Sequence, residues 1–313
     1  MTAKRTTIRV GIVAGRRELR GCFRGRFRTA AGEVLTGPFV LTAGPPSPHA
    51  DGDPSRPSGA GGEAPGLWLQ TQACRRFLPP EECRFYPGDQ DVFSLDAVTI
   101  GVNFHWERRE QQTFQGSLVV LAEAGGLLTA INEIDIEDYL AGVISSEMSA
   151  TAPVEFLKAH AVMSRSWLLA MLERKNLENA GDGCGRTPSS GLVVRNSAAG
   201  KMDGRDGDRV AARGGGAKRG NIDHEEDIPE EIVRWYGREE HARFDVCADD
   251  HCQRYQGVTK IVSPRVREAV DATRGMVLAY GGRICDARYH KACGGRTEDF
   301  ANVWEERSVP YLT

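Results

Sequence analysis

Apolar and polar residues alternate through the first part of the chain, and the period then changes. Ile8–Val13, Cys22–Arg28 and Val34–Leu41 alternate with a period of two and are separated by Gly-containing turns, the pattern of half-buried strands. Shorter alternating runs follow at Leu67–Leu69, Phe93–Leu95 and Val98–Phe104. Phe114–Glu123 and Leu127–Ile134 flank Gly125-Gly126 and predict a β-hairpin. Glu137–Ser145 instead places Tyr139, Leu140, Val143 and Ile144 on one helical face. From Pro153 to about Lys175, Leu157, Ala161, Ser164, Leu168, Met171 and Leu172 recur at helical spacing. Pro153 suits the first turn, and Glu155 suits the positive end of the helix dipole. Ala159, Ala161 and Ser164 are small enough to let another element approach, so this helix is expected to be buried. Ser263–Thr273 predicts a short helix, and Gly275–Tyr280 with Arg283–His290 predicts a second hairpin about Gly281-Gly282.

Two stretches break these patterns. Residues 44–66 are rich in Pro, Gly, Ser and Asp, and Gly181–Asn221 is dominated by Gly, Arg and Asp, with the acidic run Asp223–Glu231 beyond it. Such compositions bury too little apolar surface to offset chain entropy, so both are expected to be disordered. The resulting reading is an α+β fold of mixed sheets and hairpins around a central long helix. Residues 1–43 form an N-terminal β segment, 44–66 a loop, 67–178 the core with both helices, 179–231 an insertion, and 232–313 the rest of the same domain.

Composition narrows the function classes. The chain has 313 residues, enough for one large domain or two modest ones, and a net charge of −3, which offers no strong field to nucleic acid or acidic lipid. No apolar run approaches the ~20 residues that span a bilayer. Met1–Arg9 is polar and lacks the apolar stretch of a secretory signal, which taken alone points to the cytoplasm. Eight cysteines are present, and those in the C-terminal third lie near histidines, which suggests metal more than disulfide staples.

Two constellations carry chemistry. Glu147 falls at the joint between the two predicted helices, beside Met148 and near Ile144. A carboxyl in such a partly apolar setting suits a general acid; the alternative is an exposed Glu in a bend. His241, Cys247, His251 and Cys252 supply two imidazoles and two thiols, a sufficient tetrahedral set for Zn²⁺. Cys285, His290 or Cys293 could replace one of them, and a Cys247–Cys252 disulfide or plain core cysteines are the other readings. With no His-Glu-x-x-His present, a zinc ion here is expected to be structural.

Leu140-Ala141-Gly142-Val143-Ile144-Ser145-Ser146-Glu147-Met148, then Pro153, Leu157-Lys158-Ala159-His160-Ala161-Val162 and Ser164-Arg165, resembles the signature of the stage II sporulation protein D family, which includes the amidase enhancers. Cys247–Gly257 and the run from Ala269-Val270 through Thr273-Arg274-Gly275 to Tyr289–Gly295 match the same family in order. His160 stands where the family usually has Gln, and Ser164 where it has Ala. The resemblance implies a peptidoglycan lytic transglycosylase that prefers glycan strands stripped of stem peptides, with Glu147 as the single acid/base and a 1,6-anhydro muramoyl product. One carboxylate suffices in that chemistry because the sugar's own O6 hydroxyl attacks C1, unlike two-carboxylate hydrolysis. Arg165 takes the family's Arg slot, where it could orient Glu147 or bind the sugar; otherwise it pairs with Glu155 or Glu173 on the helix surface. Tyr289 and Lys291 would share one face of the second hairpin and line the glycan groove; the bland reading is packing or surface. The resemblance further implies zinc near the Cys/His motif, a location in the cell envelope, and a domain continuing beyond Thr313. Two alternatives remain: a non-catalytic glycan-binding or amidase-enhancing module that engages a cell-wall amidase, and a zinc-stabilised scaffold with no glycan role.

Overall fold

A computed structural model describes residues 6–44, 66–78, 82–102, 105–181, 241–290, 292–304 and 307–313. The chain divides into two units, residues 1–186 with 239–293, and residues 187–238 with 294–313. The expected loop at 44–66 and the insertion at 179–231 fall almost wholly outside the described residues, as does Lys291.

The larger unit opens with β1 (Thr7–Arg16), β2 (Glu18–Arg28) and β3 (Val34–Gly44), then β4 (Gly66–Thr71), β5 (Arg75–Leu78), β6 (Cys83–Pro87) and β7 (Val92–Ile100). Next come β8 (Arg108–Gln115), β9 (Ser117–Glu123), β10 (Leu127–Asp135), α1 (Ile136–Glu147), α2 (Val154–Gly181), β11 (Val246–Cys247), α3 (Arg265–Ala272), β12 (Ala279–Tyr280) and β13 (Arg283–Ile284). The main sheet runs β11-β1-β10-β9-β6-β2-β3-β4-β5, with β7 pairing β2 and β8. It is antiparallel except where β11 joins β1 in parallel, so the fold is α+β with mixed sheets. β6 bridges two halves: Cys83–Phe85 pair with β9, and Tyr86 and Pro87 pair with β2.

Three expectations need correction. Phe114–Glu123 is two strands, because Gly116 breaks the run with φ 83°. β5 and β6 went unpredicted because each is short and carries little alternation. The second hairpin holds only two residues per strand, Ala279↔Ile284 and Tyr280↔Arg283. Residues 285–290 leave the ladder, so strand alternation does not set the direction of Tyr289.

Apolar faces of the sheet and helices meet in one core. Rings of Phe23, Phe27, Phe39, Phe85, Phe93 and Phe114 pack in sequence across the sheet, and Phe114 reaches Tyr255, which in turn packs on Tyr139 of α1 at 5.0 Å. The Asp135 side chain caps α1 by accepting from the Glu137 N–H at 3.0 Å. Tyr139, Leu140, Val143 and Ile144 are all fully buried, as their spacing predicts. α2 follows Pro153, buries Leu157, Ala161 and Leu168, and runs on to Gly181.

The segment after β11 is held on every side. Ala248 N–H donates to Gly11 O, Val258 N–H to Thr113 O, and the Tyr255 hydroxyl to Asn132 Oδ1 at 2.7 Å. Gly142 makes room for this segment on α1: a Cβ there would lie 2.5 Å from the Tyr255 ring and 2.8 Å from Gly257 O. In the smaller unit the described residues include α4 (Phe300–Val303); Phe300 N–H donates to Leu312 O, and Arg307 lies over the Phe300 ring.

Candidate functional site

Glu147 is the last residue of α1 and is half-buried. A helix carbonyl end is an unfavourable place for a carboxylate charge, so donors are needed there. One is the backbone N–H of Arg254, which reaches Glu147 Oε1 at 2.8 Å. Arg254 is itself fixed: its guanidinium makes two bonds to Asp250, at 2.9 and 3.0 Å, and lies 4.5 Å from the centre of the Trp106 ring. The preceding residue, Gln253, is buried, accepts from the Tyr139 hydroxyl and donates to Ser164 O on α2. α1, α2 and the 247–257 segment thus converge on the Glu147 carboxylate.

Tyr289 comes to the same place from the segment after β13. Its hydroxyl is buried, and burial followed by the nearby Glu147 charge pushes its ionisation up, so it stays a protonated donor. The hydroxyl lies near enough to Ser164 and Gln253 to be influenced by both, without a direct hydrogen bond to the protein. His160 stands behind it, 1% exposed, with its ring 4.9 Å from the Tyr289 ring and edge-on. Burial lowers the His160 pKa to about 4, so the imidazole is neutral at physiological pH.

Arg165 has a different setting from either one expected. It is 1% exposed rather than on the helix surface, and it forms a bidentate pair with Glu137, Nε to Oε1 at 3.1 Å and Nη2 to Oε2 at 2.6 Å. Its Nη1 donates to Met276 O at 3.1 Å. Among the described residues no bond joins Arg165 to Glu147; Arg165 instead locks the first turn of α1 to α2 and to the turn before β12.

His241, Cys247, His251 and Cys252 bring one ligand atom each within 4.8 Å of one another. The Cys252 thiol lies 3.4 Å from His241 Nε2 and 3.4 Å from His251 Nδ1, and Cys247 lies 3.8 Å from the same Nδ1. Zn–N and Zn–S bonds of about 2.0–2.3 Å at tetrahedral angles put ligand atoms roughly 3.3–3.8 Å apart, so the four residues fit a metal ion. Cys247 and Cys252 are not joined by a disulfide. The Cys247 thiol is held well below its usual range, first by the hydrogen bond with Cys252, against the opposing effect of burial. Lys175 of α2 anchors the start of the loop by donating to His241 O at 2.7 Å and Phe244 O at 3.2 Å. Cys285, His290 and Cys293 are not members of the cluster.

The structure therefore brings Glu147 and Tyr289 together, gathers the four metal-ligating candidates in the stretch that ends two residues before Arg254, and turns Arg165 elsewhere. Sequence reading missed Gln253, Arg254, Ser164 and Trp106 as neighbours of the site. The only signal was adjacency: Gln253-Arg254 directly follow Cys252, and Ser164 stands one turn after His160.

Comparison with known proteins places these residues in a family context. The family model described as "Stage II sporulation protein" matches residues 124–195 and 210–280. An uncharacterized protein of Brachyspira hyodysenteriae (strain ATCC 49526 / WA1) is 26% identical over 199 residues. That alignment covers 64% of this chain and 36% of the relative's length. No solved structure matches.

Proposed function

We propose, from the match of residues 124–195 and 210–280 to the stage II sporulation protein family model, that the chain is a peptidoglycan lytic transglycosylase acting on glycan strands that lack stem peptides. The observation that carries the reading is the setting of Glu147. It is a half-buried acid at the end of a rigid helix, with Arg254 N–H on one oxygen and the Tyr289 phenol beside it. The groups seen to engage it are donors, which suits a residue that alternates between acid and base. In the proposed mechanism Glu147 protonates the glycosidic oxygen as the bond to C1 of the muramoyl residue breaks. The carboxylate then takes the proton of that sugar's O6 hydroxyl as O6 closes on C1, giving the 1,6-anhydro end. Tyr289 stays protonated beside the carboxylate and would turn its hydroxyl to donate to the charged state, and Arg254 N–H keeps the acid in one rotamer. Arg165 acts through α1, as a positioning residue. Glycan strands are the partner this reading requires, in the cell envelope.

The Cys/His cluster is the proposed site of a structural zinc ion. His241, Cys247, His251 and Cys252 would hold it, and its chemistry would be cross-linking rather than water activation. Closing the 247–252 turn fixes Gln253 and Arg254, and through them Glu147.

The test uses purified glycan strands stripped of peptides by an amidase. Mass spectrometry should find 1,6-anhydro disaccharides with the wild type and a loss of at least about 100-fold with Glu147→Gln. Folded wild-type protein that yields no such product would overturn the proposal and favour the binding-module alternative. Metal analysis should find about one zinc per chain, lost in Cys252→Ala, and wild-type protein without stoichiometric metal would reject the metal assignment.

A further inference from the structure

Four buried polar atoms around Tyr289 have no hydrogen-bond partner from the protein: His160 Nδ1 and Nε2, Ser164 Oγ and the Tyr289 hydroxyl oxygen. They form one group. His160 and Ser164 stand one turn apart on α2 and are 1% and 0% exposed. The Tyr289 ring meets His160 edge-on, and its hydroxyl is influenced by Ser164, Gln253 and Glu147. The neighbouring buried polar side chains have partners: Gln253 serves Tyr139 and Ser164 O, Ser166 Oγ donates to Val162 O, and Arg165 bonds Glu137 and backbone carbonyls. Orphaned polar atoms so deeply buried are costly, and proteins commonly satisfy them with an ordered water that has two to four partners. A neutral imidazole supplies one donor and one acceptor, and a serine hydroxyl supplies both, so the two side chains can hold such a water between them.

We propose that His160 and Ser164 hold an ordered water against the Tyr289 hydroxyl, and that this water turns the hydroxyl, which has no protein partner here, toward the Glu147 carboxylate as a donor. His160 is then a positioning residue, too buried to meet a substrate and acting only through Tyr289. The resemblance expects Gln at this position, and Gln can also accept and donate at once. An apolar residue of the same size cannot. The consequence for rate rests on Glu147 being the acid/base; the water and the placement of Tyr289 do not.

The experiment combines crystal structures of the wild type, His160→Phe and Ser164→Ala with glycan cleavage by the same proteins and His160→Gln, each checked for folding by thermal melt. The wild type should show one water within hydrogen-bond distance of Ser164 Oγ, the His160 ring and the Tyr289 hydroxyl, with that hydroxyl bonded to Glu147. His160→Phe should lose the water, move the Tyr289 hydroxyl off Glu147, and lower kcat about 10-fold with KM within twofold. His160→Gln should restore most of kcat, and Ser164→Ala should lose the water and part of kcat, which a purely space-filling role would not produce. A wild-type structure without the water, or His160→Phe with Tyr289 unmoved and kcat unchanged, overturns the proposal. If the wild type cleaves no glycan, the functional reading fails, and the crystal structures still decide the water and the tyrosine.

Discussion

Replacing Arg165 with Met tests whether that arginine works on structure or on substrate. The guanidinium is 1% exposed and meets Glu137, itself 5% exposed, through two bonds of 3.1 and 2.6 Å. Its removal leaves the Glu137 carboxylate with the Gly275 N–H at 3.3 Å and only the exposed Arg274 charge nearby, and leaves Met276 O without this donor. Stranding one partner of a buried pair costs about 3–5 kcal/mol. For a domain of this size that corresponds to a fall in Tm of roughly 6–20 °C. Arg165→Lys keeps the charge but not the fork, so a loss of about 1.5–3 kcal/mol is expected. The double variant Arg165→Met/Glu137→Leu removes both charges and should recover most of the loss, giving a large coupling energy in the cycle. Urea unfolding followed by far-UV circular dichroism measures these proteins together with Glu137→Leu, which completes the cycle. If Arg165→Met unfolds within about 1 kcal/mol of wild type and yet abolishes glycan cleavage, the ion pair is not its role, and Arg165 must act at the substrate.

Gly142→Ala should cost about 1–3 kcal/mol by overpacking, because the new Cβ meets the Tyr255 ring and Gly257 O, and thermal melts would show it. Since Gly257 and Tyr255 continue the segment that holds Glu147, cleavage by Gly142→Ala should fall as well; an unchanged melt and rate would disprove the close packing. His160 gives a pH signature. Its pKa is lowered from 6.5 to about 4 by burial, so between those values the unfolded chain binds a proton that the folded chain refuses. Its contribution to stability is therefore complete above pH 6.5 and lost as pH falls toward 4, by about 3 kcal/mol. Urea titrations across that window should show a steeper acid loss for wild type than for His160→Gln, and equal slopes would refute the buried neutral imidazole.

Much of the fold was legible along the chain because its causes are local. Alternation located β1, β2, β3 and β10, Gly125-Gly126 located the hairpin between β9 and β10, and the helical spacing of Tyr139, Leu140, Val143 and Ile144 located α1 and its buried face. Three of the four metal-ligating candidates lie within six residues of one another, so their proximity was also visible in the sequence. β5 and β6 were not legible, because four or five residues carry too little pattern to separate a strand from a turn, and the hairpin at Gly281-Gly282 was legible but its ending after two pairs was not.

By itself the sequence determined the helix joint, the acid at it, and the Cys/His set, since each depends on residue type and near spacing. Only the tertiary structure decided what faces the acid. Arg254 lies 107 residues from Glu147, and Arg165 stands 28 from Glu137. Periodicity gives a side chain's angle about its own element but not the partner that another element brings to it. For that reason a conspicuous arginine turned inward to a buried carboxylate, while an ordinary main-chain N–H came to hold Glu147 and a histidine without a hydrogen bond came to lie against Tyr289.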